Sequence, residues 1–191
     1  SGLDALTQVI EPYVCSRANP FTDALCRDAI PRGIQALVSL MNEETPQARD
    51  SMAWVSLCGG LALANAGLGV IHGLAGPLGG VCDAPHGALC GSLLPYGLEL
   101  NRRHVTNPVI KARFVEVSHW LAEGLGAATE DAFSALRVWR HGAGLGALSS
   151  LGVPVEALAP VAQAAASSSS MKANPVSLSE TQLLTLLQAA W

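Results

Sequence analysis

An all-α fold, a bundle of about eight helices, is what this sequence predicts, and three observations carry the prediction. Apolar residues recur at helical spacing in one segment after another. Asn19-Pro20, Thr45-Pro46 and Ser179 look like helix starts, and no run of alternating β-branched residues is flanked by hairpin turns. The chain has 191 residues, half of them hydrophobic, and only 14% are charged, against roughly 25% in ordinary globular domains. Helices packed closely through Ala, Gly and Leu give that profile, and the length suits a single domain over 1–191.

The segments follow in order. LDALTQVIEPYV (3–14) places Leu3, Leu6 and Ile10 on one helical face, and Pro12 should end or kink the helix. Residues 19–42 form the next helix, capped by Asn19, with Pro31 expected to kink it. Thr45 and Pro46 open a third, charged only in its first turns, which should run into the core. A short helix carries His72, and Pro85 stands ahead of HGALCGSLLPYGLELN. Further helices are expected at 109–126, 130–144, 155–166 and 179–191, with AAASSSSMKANP as a loop before the last.

Residues 51–82 contain no Asp, Glu, Lys or Arg, a run longer than the roughly 20 residues of a membrane span. Eight glycines, Pro77, Asn65 and His72 interrupt it, and interfacial Tyr or Arg anchors do not flank it on both sides, so buried core helices are the expected reading and no membrane partner. The net charge of −4 and the scattered basic residues make a nucleic-acid partner unexpected. Five cysteines without a CxxC suit reduced thiols, and with no signal peptide visible the expected compartment is the cytoplasm. The abrupt start SGLDALTQVIE, which has no Met, suggests a fragment or processed chain.

Four residues stand out as chemistry. Asp4 and Gln8, at i and i+4, share one helical face, and His72 and His86 sit 14 positions apart in a segment that is otherwise almost free of polar side chains. A carboxylate and two imidazoles suit a divalent metal such as Fe(II) or Zn(II), and a Gln amide oxygen is a weaker donor. The same histidines also read as hydrogen-bonded core residues. A rival zinc set, Cys82, His86 and Cys90, has spacings of four, but Pro85 argues against one continuous helix through Cys82 and His86. No GxSxG occurs, and GLAGPLGG does not form GxGxxG after a strand. No catalytic or dinucleotide-contacting residue is therefore assigned.

Taken together and in order, SGLDALTQVIEPYV, ANPFTDAL, HGLAGPLGG with APHG, LLPYGLELN and the terminal SSMKANPVSLSETQLLTLLQAAW resemble the C-terminal helical half of the iron-containing alcohol dehydrogenases. The resemblance covers essentially the whole chain. It implies a dehydroquinate synthase-like helical domain, with the family's N-terminal dinucleotide-binding domain absent from this chain. Carried over by motif, the ligands it implies are Asp4, Gln8, His72 and His86, with Gln8 standing where the family has His. Gly76 departs in the same way from the family's HxxxH pattern. The implied chemistry is hydride transfer between a small alcohol or aldehyde and NAD or NADP, with this chain inactive alone and a homodimer plausible. The implied alternatives are a metal-independent reductase like maleylacetate reductase, kept open by Gln8, and a stand-alone non-catalytic helical module.

Overall fold

The computed structural model describes residues 1–191 and contains nine α-helices, four 3₁₀ segments and no strand. The helices are α1 (Gly2–Val14), α2 (Pro20–Asn42), α3 (Pro46–Asn65), α4 (Val70–Leu78), α5 (His86–His104), α6 (Pro108–Leu125), α7 (Ala132–Gly142), α8 (Leu158–Ala166) and α9 (Glu180–Ala190). α1 lies at the centre, packed on α2, α3 and α5, while α4 is held between α5 and α8. One apolar core joins Leu6, Val9 and Ile10 of α1 to Ile71 and Leu74 of α4 and to Leu89 and Leu93 of α5. Burying such side chains contributes roughly 1.5–3 kcal/mol each.

The helix starts form as their residues require. Asn19 accepts from the Thr22 amide at 3.2 Å while the Thr22 hydroxyl accepts from the Asn19 amide at 3.1 Å, a reciprocal cap. Thr45 caps α3 and Ser179 caps α9 through the same kind of bond. Two prolines sit inside helices rather than at their ends. α1 continues through Pro12 to Val14, and α2 continues through Pro31. Each ring denies one backbone hydrogen bond, but Ile10 and Tyr13 around Pro12, and Ile30 and Ile34 around Pro31, are fully or almost fully buried and hold the helix together across it.

Two further departures concern length and exposure. Ser169–Ala173, expected as loop, winds into a 3₁₀ turn that brings Met171 over Gly73. A Cβ on Gly73 would lie 2.6 Å from Met171 Sδ, so glycine permits that approach. α3 does not run wholly into the core. It buries Val55, Cys58 and Ala62 but exposes Trp54, Leu57 and Leu61, because a helix apolar on all sides has only one face covered by α1 and α2. No single helix is long and apolar enough to cross a membrane; α3 and α4 reach that length only together, across a 98° bend.

Gly59 sets how closely α3 approaches the helix that carries Asp4. A Cβ there would sit 2.9 Å from Gln8 Cβ, an atom fixed to the α1 backbone, so α1 itself would have to shift. Gly59→Ala gains about 1 kcal/mol of helix propensity but incurs roughly 1–3 kcal/mol of overpacking. The expected net result is a loss of about 1 kcal/mol, read as a lower urea midpoint. An unchanged or raised midpoint would show that the α1–α3 contact yields easily.

Candidate metal centre

α1 builds the floor of the site. Asp4, Gln8 and Glu11, at i, i+4 and i+7, fall along one face of it. Gln8 directs its amide nitrogen to Asp4 Oδ1 at 3.4 Å. Glu11 is buried and caps the next helix in the site: its Oε1 accepts from the Ile71 amide at 2.7 Å, and its Oε2 lies 2.6 Å from His72 Nδ1. Asn174 completes that cap by accepting from the Val70 amide at 3.0 Å and is itself paired with Asn101. α4 has no polar side chain at its own N-terminus, since Gly69 is the cap, so these two distant residues satisfy its first amides.

His72 is thereby fixed. With Nδ1 on Glu11, its Nε2 faces Asp4 Oδ1 at 3.3 Å, outside hydrogen-bond alignment, and is a buried ring nitrogen without a partner. Pro85 (φ −57°, ψ 135°) turns the chain into α5, whose first residue is His86. The His72 and His86 rings stand 5.6 Å apart between centroids. Cys90, one turn further along α5 and fully buried, places Sγ 3.4 Å from His86 Nε2. One donor atom from each of Asp4, His72, His86 and Cys90 falls within 4.8 Å of every other.

The charges in this cluster depend on one another. Burial works against a charged His72, but the Asp4 carboxylate and the Cys90 thiol close by and the Glu11 carboxylate on Nδ1 outweigh it and push the imidazole up to about 12. His72 beside it, with Nε2 3.3 Å from Oδ1, holds the Asp4 carboxyl below its ordinary value, against the effect of burial. Burial raises the Cys90 thiol. Two carboxylates thus flank one imidazole and favour a positive charge at this point, which either a proton or a metal cation can supply. An unpartnered buried nitrogen, a carboxylate, a second imidazole and a thiol are a donor set that fits a divalent transition metal.

Of the four ligands expected by resemblance, the fold brings Asp4, His72 and His86 together and sets Gln8 beside Asp4. The rival set does not assemble: α4 ends at Leu78 and α5 begins at His86, so Cys82 lies in the linker and donates to the Leu78 carbonyl. Its His86 and Cys90 reach the cluster, and Cys82 does not. Asp4 is part-buried, whereas His86 is exposed, so the cluster opens to solvent on the α5 side. Gly76 lies one turn beyond His72 with nothing within 4 Å of its Cβ direction, leaving room for a larger side chain on that face. A cavity of about 560 Å³ lined by Asp28, Arg32 and Gln35 lies elsewhere, between α2 and the start of α3.

The comparisons with known proteins agree with this architecture. The sequence model of the Fe-containing alcohol dehydrogenase family, C-terminal part, matches residues 1–191, and the chain belongs to that family. It is 38% identical over 136 residues to a 1,3-propanediol dehydrogenase of Klebsiella pneumoniae, covering 69% of this chain and 33% of that protein. It is 33% identical over its whole length to alcohol dehydrogenase 4 of Saccharomyces cerevisiae strain YJM789, of which it covers 50%. A crystal structure of 1,3-propanediol oxidoreductase superposes with a TM-score of 0.87 at 31% identity, over 100% of this chain and 50% of that one. The chain therefore spans half or less of the length of these relatives. A maleylacetate reductase from Rhizobium sp. superposes with a TM-score of 0.80 at 24% identity, which shows a shared fold and no more.

Proposed function

We propose that this chain is the metal-binding, substrate-side domain of an iron-type alcohol dehydrogenase that moves a hydride between a small alcohol or aldehyde and NAD or NADP. The observation that carries the reading is the convergence of Asp4, His72 and His86 from three helices around a buried imidazole nitrogen that has no partner. Family membership over the whole chain supports it. The dinucleotide would be held outside these 191 residues, so the chain alone is expected to be inactive.

Asp4, His72 and His86 would hold the divalent metal, which when bound acts as a Lewis acid toward the substrate oxygen. Glu11 fixes the His72 ring and its tautomer through Nδ1, so that Nε2 is the nitrogen offered. Gln8 steadies the Asp4 carboxylate through its amide. His86 at the exposed edge and the open space over Gly76 support an approach of substrate from that side. The exposed apolar stripe of Trp54, Leu57 and Leu61 supports association, with a second copy as the proposed partner. Five unpaired cysteines support a reducing, cytoplasmic setting.

The test is NAD(P)H-dependent aldehyde reduction by the protein that carries this chain. Activity should fall with chelation, return on adding Fe(II) or another divalent metal, and be lost in Asp4→Ala. Activity that survives both chelation and Asp4→Ala would identify a metal-independent reductase of the maleylacetate reductase kind.

A further inference from the structure

We propose that Cys90 Sγ, rather than the Gln8 amide, is the fourth donor of this centre, and that the resulting Asp4–His72–His86–Cys90 set shifts metal preference from Fe(II) toward Zn(II). The proposal rests on the metal reading above and deepens it.

Three observations carry it. Cys90 is fully buried and shares a helical face with His86, four residues earlier, so α5 delivers both donors in adjacent turns. Its Sγ belongs to the group of four donors lying within 4.8 Å of one another, into which the unpartnered, 92% buried His72 directs Nε2. Bonds of about 2.0–2.3 Å to a tetrahedral zinc ion set its donors roughly 3.3–3.6 Å apart, about 1 Å closer than the widest separation in this group. Small side-chain movements therefore suffice to close the set.

Gln8 is turned the other way. Its amide nitrogen faces Asp4, and its oxygen, the only atom with which it can ligate, lies 3.3 Å from the Cβ direction of Gly59 on α3. Charge favours Cys90 as well. Coordination breaks the S–H bond and releases its proton to solvent with no change of oxidation state, so a carboxylate and a thiolate together neutralise a divalent ion. Asp4 with a neutral amide would leave one positive charge uncompensated among these donors. A thiolate is also the softest donor available here, which favours Zn(II) or Co(II) over Fe(II).

The test titrates the reduced 191-residue chain with Co(II) and with Zn(II) and Fe(II) in competition, comparing wild type, Cys90→Ser, Cys90→Ala, Gln8→Ala and Asp4→Ala. Wild type and Gln8→Ala should show a thiolate-to-cobalt charge-transfer band, and both Cys90 variants should lack it. X-ray absorption of the zinc form should show one sulfur at about 2.3 Å. Zinc affinity should fall at least tenfold in the Cys90 variants, the Zn(II)-to-Fe(II) preference should narrow, and circular dichroism should show the fold retained. Metal binding by wild type without the band, or a band that persists in folded Cys90→Ser and Cys90→Ala, would overturn the role of Cys90 while leaving the centre intact. No binding of any of the three ions to wild type would overturn the metal reading and this inference with it.

Discussion

Glu11→Ala is expected to lower the unfolding free energy by about 3–5 kcal/mol, the usual cost of removing one partner from a buried charged pair. The carboxylate accepts from the Ile71 amide and holds His72 Nδ1, and it is only 3% exposed, so water cannot take its place easily. Its loss leaves a helix-terminal amide and an imidazole buried without acceptors. For a chain of this length, roughly 2–4 °C per kcal/mol places the loss in melting temperature on the order of 10 °C. Thermal unfolding followed by circular dichroism checks it, and a shift below about 3 °C would show that Glu11 carries little of the α4 anchorage. Metal affinity in the same variant should fall by a further 10- to 100-fold, because His72 loses the group that orients it.

Asp4→Ala is expected to remove metal binding while leaving the fold in place. Asp4 is the only carboxylate in the donor cluster, and its side chain is one-fifth exposed, so the partial screening of its pairing with His72 limits the stability loss to about 1 kcal/mol. Metal affinity should drop by more than about 100-fold, beyond the range typical of residues that only support ligands. Calorimetric titration together with a melting curve separates the two effects. A variant that binds metal as wild type does would remove Asp4 from the ligand set.

The all-helical fold was legible because period and punctuation agree: apolar residues recur at helical spacing, and Asn19, Thr45 and Ser179 each begin a helix where sequence alone places one. That α1 runs on past Pro12 to Val14 rather than ending there was not legible, because the burial of Ile10 and Tyr13 is a tertiary fact that local preference does not contain. The exposed stripe on α3 was hidden for a related reason. A uniformly apolar helix does not reveal which of its faces is covered, and Trp54, Leu57 and Leu61 look no different in sequence from Val55 and Cys58.

The site was legible in its types and partly in its members. Asp4, His72 and His86 stood out as polar groups in apolar surroundings, and Pro85 correctly separated Cys82 from the α5 helix. Glu11 was within reach, since it lies seven residues after Asp4 on the same helical face. Cys90 was weighed only with Cys82 and His86, and its approach to Asp4 depends on how α1 packs on α5, which no local spacing encodes. Asn174 and Asn101 gave no local signal, because the pair joins residues 73 apart in the chain and the Asn174 cap on Val70 spans 104.

Metal stoichiometry of the reduced chain, by elemental analysis after anaerobic reconstitution and desalting, tests most directly whether these three helices build a metal centre. The expected result is about one equivalent of divalent metal per chain in wild type, with none retained in a folded Asp4→Ala, His72→Ala double variant. Wild-type protein that retains no Fe, Zn, Mn, Ni or Co after reconstitution, or a double variant that retains as much as wild type, would contradict it.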